Sequence, residues 1–137
     1  LTVPDLGLTP YARAQNTSTG DPSRSRLLSE LTDAFNSRMS VTLINDGRLI
    51  GLVFIDIETQ NMFRFPGSFA LTNVLDAACQ STAVLPDTAP SLDCRTNTLV
   101  TGATATNYMW ADGIRPGPTV QSRMGSLAEF RAKNNPF

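Results

Sequence analysis

The sequence predicts an α/β fold, chiefly from the places where its apolar residues fall. The run Leu49–Ile57 (LIGLVFIDI) is β-branched and aromatic-rich without alternation, which is typical of a parallel strand buried on both faces. A helical pattern from Asp21 precedes this run, and a shorter apolar run, Tyr108–Trp110, comes before another helical pattern over Val120–Ala132. Strand patterns that alternate with helical ones predict a mainly parallel sheet with helices packed against it.

Length and composition indicate one domain of ordinary globular type. The 137 residues allow a modest core, and 41% of them are apolar while 17% are charged. The net charge of −1 argues against a nucleic-acid partner, which would need a basic surface. No apolar run approaches the length of a membrane span, so no transmembrane segment is expected. No signal peptide is visible, and because Leu1 is not a natural start we expect that an N-terminal portion was removed or lies outside this sequence.

The N-terminal part is predicted to be mostly irregular. Leu1–Val3 could end a strand, Asp5 is expected to hydrogen-bond the backbone of its own turn, and Pro10 disfavours an early helix. The polar stretch Ala12–Gly20 is predicted to be a loop. Within it, Asn16 begins an Asn-Thr-Ser triplet that fits a glycosylation sequon, although this pattern is common by chance.

The clearest helix is predicted to begin at Asp21, with Asp21 as its N-cap and Pro22 as its first residue. Apolar residues recur at steps of three and four and make one face. They are Leu27, Leu28, Leu31, Ala34, Phe35, Met39, Thr42 and Leu43. Polar and charged residues take up much of the remaining surface, namely Arg24, Glu30, Asp33, Asn36 and Arg38. The helix is expected to end near the Asn45-Asp46-Gly47 turn.

The strand predicted over Leu49–Ile57 places Asp56 near its carboxyl end, where α/β sheets carry ligand-binding loops. We favour the simpler interpretation that Asp56 is the N-cap of two helical turns over Glu58–Phe65, which Pro66 ends. The apolar residues that surround these turns and continue through Phe69–Cys79 are expected to belong to the core rather than to a substrate pocket.

Cys79 and Cys94 enclose a polar, proline-containing segment that is predicted to be a loop. A disulfide between them would stabilise the fold by about 3 kcal/mol in the chain-entropy model and would indicate an oxidising compartment such as the periplasm or the cell exterior. The alternative is two free thiols that behave as small apolar residues. A zinc site is not expected, because two cysteines without any histidine provide too few of the usual ligands.

The stretch Tyr108–Gln121 (YMWADGIRPGPTVQ) carries the most specific motif. Its strand end, acidic loop and Pro-Gly-Pro break resemble the last motif of the GDSL or SGNH hydrolases, a family of serine esterases and lipases in which the motif reads D-x-x-H-P. The phrase VPDLGLTP from Val3, the phrase FALTNVLDAAC from Phe69 and the cysteine pair resemble the same family. The resemblance covers most of this chain, but only the C-terminal half of the family domain.

The resemblance implies a catalytic aspartate at Asp112 in a Ser-His-Asp mechanism of lipid or acyl-ester hydrolysis, with no cofactor or metal. Arg115 stands where the family carries the catalytic histidine, and Gln121 stands where many members carry a second one. A guanidinium does not lose its proton in proteins, so Arg115 cannot act as a general base. The chain contains no histidine and no Gly-Asp-Ser motif, and we therefore expect it to be inactive alone.

Two functional interpretations follow. In the first, the chain is the C-terminal portion of a three-layer α/β/α SGNH-type hydrolase that is secreted, periplasmic or on the cell surface. Asp112 and Arg115 then form a surface salt bridge worth about 0–1 kcal/mol. In the second, a non-catalytic binding or assembly module retains the fold, and Arg115 is able to bind a ligand. Because a strand that is apolar on both faces needs neighbours, the expected partner is an N-terminal half of the same domain or a second copy of the chain.

Overall fold

The computed structural model describes residues 1–43, 50–79 and 94–134, and within these ranges the chain has an α/β fold. The helices are α1 (Pro10–Thr19), α2 (Ser23–Thr42), α3 (Ile55–Arg64) and α4 (Pro118–Lys133). The strands are β1 (Asn73–Ala77) and β2 (Tyr108–Trp110), which pair in parallel. Short 3-10 turns lie at Leu6–Leu8, Pro66–Phe69 and Thr96–Thr98.

The apolar core joins the sheet to α3 and α4. Its buried members are Met62 from α3, Leu71, Met109 and Trp110 from β2, and Val120 from α4. The indole nitrogen of Trp110 donates to the carbonyl oxygen of Val74 at 3.0 Å, so the largest core side chain is buried with its polar atom satisfied.

Helix α4 confirms the helical pattern predicted over Val120–Ala132, with the start moved back to Pro118. Proline suits the first helical position because its missing N–H would have no partner there. Val120 is fully buried and Met124 packs against the core, as the spacing predicts, whereas Phe130 is largely exposed.

The outer edge of the sheet beside β2 is occupied by the chain itself. Beside β2, the backbone nitrogen of Ala111 donates to the carbonyl of Arg115 at 2.8 Å, and that of Gly117 donates to the carbonyl of Met109 at 2.7 Å. Gly117 is required at this close approach, because a Cβ atom there would lie 2.7 Å from the carbonyl oxygen of Tyr108. Beside β1, the side-chain oxygen of Asn73 accepts the N–H groups of Leu75 and Asp76. The edge beside β2 therefore offers little backbone for pairing with another strand.

The strand predicted over Leu49–Ile57 is wrong for the residues that the structure describes; Leu49 lies outside them. Residues 50–54 form no regular element, and α3 already begins at Ile55. A short continuous apolar run fits a buried strand and the start of a helix equally well. The helical face that includes Ile55 and Met62 decides the outcome, because both side chains are buried on α3.

Asp56 is therefore neither at a strand end nor an N-cap, since it lies within the first turn of α3. Its carboxylate accepts a hydrogen bond from the hydroxyl of Thr2 at 2.5 Å. Its backbone nitrogen donates a hydrogen bond to the same hydroxyl oxygen at 3.2 Å. A carboxylate in the first turn of a helix is also favoured by the helix dipole. Asp56 thus anchors the N-terminal segment to α3.

The loop predicted over Ala12–Gly20 is also wrong, because this stretch belongs to α1. The hydroxyl of Thr9 accepts the backbone nitrogen of Ala12 at 3.2 Å as the N-cap, and Pro10 occupies the first helical position rather than preventing the helix. The helix ends at Gly20, which has a φ of 65°. Polar composition indicated a loop, whereas the capping residues specify a helix.

Helix α2 begins one residue later than predicted, because Pro22 is its N-cap and Ser23 its first residue. Two other side chains accept its first backbone nitrogens. The carboxylate of Asp21 accepts the backbone nitrogen and the hydroxyl of Ser23, and these hydrogen bonds lower the pKa of Asp21. Asn16 of α1 provides the second cap, because its side-chain oxygen accepts the backbone nitrogen of Ser25 at 2.9 Å and its amide donates to the Ser25 hydroxyl at 2.8 Å. The turn expected to end this helix, at residues 45–47, lies outside the described residues.

The buried side of α2 is its polar side. The side-chain oxygen of Asn36 accepts the backbone nitrogen of Val3 at 2.9 Å, and its amide donates to the carbonyl of Val3 at 2.8 Å. The hydroxyl of Thr32 accepts the backbone nitrogen of Leu6 at 3.3 Å. The N-terminal segment lies so close that a Cβ atom at Gly7 would be 2.1 Å from the hydroxyl of Ser29. Irregular backbone needs hydrogen-bond partners, and only the polar side of α2 can supply them.

The apolar stripe of α2 consequently points away from the described protein. The exposed fractions of Leu27, Leu31 and Phe35 are 49%, 57% and 56%, respectively. These three side chains, spaced at four-residue intervals, are called the outer ridge of α2 below. The sequence identified the stripe correctly, but an amphipathic helix is expected to turn such a stripe towards the core, and α2 does the opposite.

Candidate functional site

The candidate site lies where the two parallel strands end. Because β1 and β2 run in the same direction, the residues after both strands come to the same edge of the sheet. The backbone nitrogen of Ala78 donates to the carbonyl of Trp110 at 2.8 Å, and that of Cys79 donates to the carbonyl of Ala111 at 3.0 Å. The chain that leaves β1 is therefore bonded to the chain that leads into Asp112.

The carboxylate of Asp112 holds its own loop together. One oxygen accepts the backbone nitrogens of Ile114 at 2.9 Å and Arg115 at 2.8 Å, and the other accepts Nε of Arg115. The Asp112 residue is buried, with an exposed fraction of 8%. The ion pair that the three-residue spacing allows is present, although its aspartate is less exposed than expected for a surface salt bridge.

Arg115 and Gln121 complete this loop from its other side. The side chain of Arg115 is 40% exposed, so its guanidinium reaches solvent beside the buried carboxylate. The amide of Gln121 donates to the carbonyl of Pro116 at 2.7 Å. The carbonyl of Gly113 accepts the backbone nitrogen of Tyr11, which ties the loop to α1. The arrangement combines a carboxylate, a guanidinium and an amide, and it contains no imidazole because the chain has no histidine.

Cys79 and Cys94 form a disulfide, as predicted, with their Cα atoms 5.4 Å apart. It attaches the segment that begins at Cys94 to the end of β1. That segment continues alongside the sheet, where Leu99 pairs with Cys79 and the backbone nitrogen of Val100 donates to the carbonyl of Ala78 at 2.8 Å. The disulfide is therefore part of the wall around the carboxyl end of the sheet.

A cavity of about 240 Å³ lies beside the Asp112 loop. Its wall includes Ala78, Leu99, Tyr108, Ala111 and Pro118. Sequence reasoning missed this cavity, because its residues come from separate segments and carry no common pattern. Leu99 pairs with Cys79 at this cavity, and Cys79 is also joined to Cys94 by the disulfide. The cysteine pair was the one feature of the sequence that indicated a contact between these two segments.

Asp5 serves the packing of the N-terminal segment. Its carboxylate accepts the backbone nitrogen of Gly7 at 2.9 Å, which confirms the turn role predicted for it. It also accepts the hydroxyl of Ser29 at 2.7 Å, a contact with α2 that the sequence did not indicate. These bonds fix the turn that leads into α1.

Comparison with models of known protein families and with curated proteins finds no match for this chain. In the ranges that the structure describes, no helix is both long and apolar enough to cross a lipid bilayer. Among the same residues, no group of three or more His, Cys, Asp or Glu side chains is placed to hold a metal ion.

Proposed function

We propose that the chain is the C-terminal portion of an SGNH-type ester-hydrolase domain, with a three-layer α/β/α architecture, and that it is catalytically incomplete alone. The main support is the contact between Asp112 and Arg115. Asp112 lies two residues after the end of the parallel strand β2, and its second carboxylate oxygen accepts a hydrogen bond from Nε of the residue three positions later. In a Ser-His-Asp mechanism the aspartate accepts an N–H of the histidine in this way and thereby orients the imidazole.

In this proposal Arg115 occupies the place of the imidazole without its chemistry. Its Nε–H can satisfy the carboxylate, but the guanidinium stays protonated and cannot take a proton from a serine. The nucleophilic serine and the oxyanion-hole donors would come from an N-terminal half of the domain. A secreted, periplasmic or cell-surface location is supported by the disulfide, which persists in oxidising compartments.

The test is a complementation assay. The chain, with and without Arg115→His, is combined with an N-terminal half of an SGNH hydrolase that bears the serine, and hydrolysis of p-nitrophenyl butyrate is measured. We expect activity only with Arg115→His, because only an imidazole can exchange the proton. Adding Asp112→Ala to Arg115→His should lower that activity strongly, since the imidazole loses its orienting carboxylate.

Arg64→His is the matched control, because Arg64 is exposed at the end of α3 and a histidine there should give no activity. Activity with the unaltered chain would contradict the role assigned to Arg115. Inactivity of every variant, despite formation of a complex between the two halves, would contradict the proposed descent from a hydrolase.

A second candidate is a non-catalytic assembly module, and the outer ridge of α2 favours it. Side chains of this size at regular spacing on one helix are usually covered in the working protein. We propose that the N-terminal half of the same domain covers the ridge, and a homo-oligomer is the competing outcome. Size-exclusion chromatography with light scattering should show a one-to-one complex with the N-terminal half, weakened by Leu31→Lys. A chain that stays monomeric and binds no N-terminal half would contradict the assembly role.

A further inference from the structure

We propose that the cavity beside the Asp112 loop binds a short, unbranched acyl chain of about six carbons. The choice of an acyl ligand rests on the proposed ester-hydrolase function, because an acyl ester presents such a chain. The capacity of the cavity to take an apolar group rests on its walls alone.

The dimensions of the cavity set the size of the ligand. An enclosed apolar cavity of about 150 Å³ is large enough to hold benzene. The cavity beside the Asp112 loop has a volume of about 240 Å³ and is partly open, so it can surround a single short chain but only part of a long fatty acyl chain. Water-filled clefts that bind larger ligands usually have volumes of about 300–1,000 Å³.

The walls are apolar because their backbone groups already have partners inside the protein. The carbonyl of Ala78 accepts the nitrogen of Val100, and the nitrogen of Ala78 donates to Trp110. The nitrogen of Ala111 donates to Arg115, and its carbonyl accepts the nitrogen of Cys79. The side chains of Leu99 and Pro118 add further apolar surface. Water in this space gains few hydrogen bonds, whereas a methylene chain gains contact with the walls.

The rim of the cavity is polar and exposed. Arg95, Thr96 and Thr104 belong to the cavity lining, and all three residues are exposed. A ligand with an apolar chain and a polar head would therefore place the chain inward and the head at this rim. Ala111, in the wall, directly precedes Asp112, so the cavity lies next to the loop that carries the acid of the proposed triad.

Binding is tested on the intact chain by NMR, with butyrate, hexanoate and methyl hexanoate as probes of ¹⁵N-labelled protein. We expect saturable shifts at the amides of Ala78, Leu99 and Ala111. Hexanoate should bind more tightly than butyrate, by about fourfold for each added methylene group. Equal effects of the two acids, no saturable shifts, or shifts confined to other regions would overturn the proposal.

Two substitutions change the cavity in opposite directions. Ala105→Trp places a large ring on an exposed lining residue and should weaken hexanoate binding at least tenfold, whereas Ala132→Trp on the exposed end of α4 should leave it unchanged. Leu99→Ala enlarges the cavity and should move the preference towards octanoate. If neither Ala105→Trp nor Leu99→Ala alters binding, the ligand lies elsewhere and the proposal fails.

These measurements separate the acyl site from the hydrolase proposal. Saturable binding together with an inactive Arg115→His complex would leave the site in place and remove the proposed reaction. If the Arg115→His complex is active but Leu99→Ala does not change its preference for acyl-chain length, the proposed reaction is supported and the acyl site is overturned.

Discussion

The N-terminal region and the sheet region of this protein are held together by opposite kinds of contact. Around the sheet, Met109, Trp110 and Val120 form an apolar cluster with almost no exposed surface. Between α2 and the N-terminal segment, the contacts are hydrogen bonds in which Asn36 and Thr32 accept backbone nitrogens of the irregular segment. The apolar side chains of the outer ridge of α2 lie on the outside.

The difference shows that a helical stripe of apolar residues indicates which side of a helix needs covering, but not what covers it. The sheet region buries its own apolar surface, so its stability can come from transfer of that surface out of water. The contact between α2 and the N-terminal segment depends on satisfying backbone groups that would be costly to leave unpaired. Four substitutions test this contrast.

Trp110→Ala should have the largest effect. Trp110 is 1% exposed and its indole donates to the Val74 carbonyl, so truncation leaves a cavity and an unpaired acceptor. We expect a loss of about 3–5 kcal/mol in the free energy of unfolding, measured by urea denaturation. Trp110→Phe should cost clearly less, because most of the ring volume remains. Equal losses for the two variants would mean that the hydrogen bond, and not packing, dominates.

Asn36→Ala should have the next largest effect. The substitution removes both partners of Val3, whose partly buried nitrogen and carbonyl then lack these hydrogen bonds. A loss of about 2–3 kcal/mol is expected in the same denaturation experiment. Ser37→Ala, at the exposed neighbour on α2, should change stability by less than about 0.5 kcal/mol. Similar values at the two positions would show that the polar contact is not what holds the N-terminal segment.

Asp112→Ala should destabilise the protein by about 1–2 kcal/mol, because the nitrogens of Ile114 and Arg115 lose their acceptor. Asp112→Asn retains an oxygen that can accept the same two nitrogens, but it replaces the other oxygen by an NH₂ group, so both the charge and the acceptor opposite Nε of Arg115 are removed. Its cost should be about 0–1 kcal/mol, since the Arg115 side chain is partly exposed and the ion pair is screened by solvent. If Asp112→Asn proves as costly as Asp112→Ala, the ion pair is the stronger contact of the two.

Leu31→Lys should have the smallest effect on the isolated chain. More than half of the Leu31 surface is exposed, at 57%, so a charged side chain there keeps its hydration. A change of less than about 0.5 kcal/mol in the free energy of unfolding is expected at low protein concentration. A loss of about 2 kcal/mol or more would show that the outer ridge is buried in solution, and the contrast with the sheet region would disappear.

Local chemistry in the sequence predicted several features correctly. The helical pattern over Val120–Ala132 located α4, and Asp5 takes the turn role that its side chain suits. Cys79 and Cys94 are close to each other in sequence, and so are Asp112 and Arg115, so the spacing within each pair was informative. In each case the interacting groups are near in sequence, so no long-range information was needed.

Features that depend on distant partners could not be predicted in this way. The run that ends at Ile57 fits a strand or a helix, and packing of Met62 selects the helix. The orientation of α2 depends on Val3 and Leu6, which need hydrogen bonds from a helix far along the chain. The cavity beside Asp112 combines residues from three separate parts of the chain. The spacing of apolar residues along the chain carries no information about these long-range contacts.

The cap that Asn16 gives to α2 has a consequence for protein modification. Asn16 begins the Asn-Thr-Ser sequon, and its amide nitrogen is the atom to which an oligosaccharide would be attached. In the folded chain that nitrogen donates to Ser25, while the oxygen of the same side chain accepts the Ser25 backbone nitrogen. A glycan would replace one of the two hydrogens of that nitrogen and would have to fit beside the contact between the first two helices. A chain glycosylated at Asn16 is therefore expected to be less stable than the unmodified chain, which urea denaturation of the two forms would show directly.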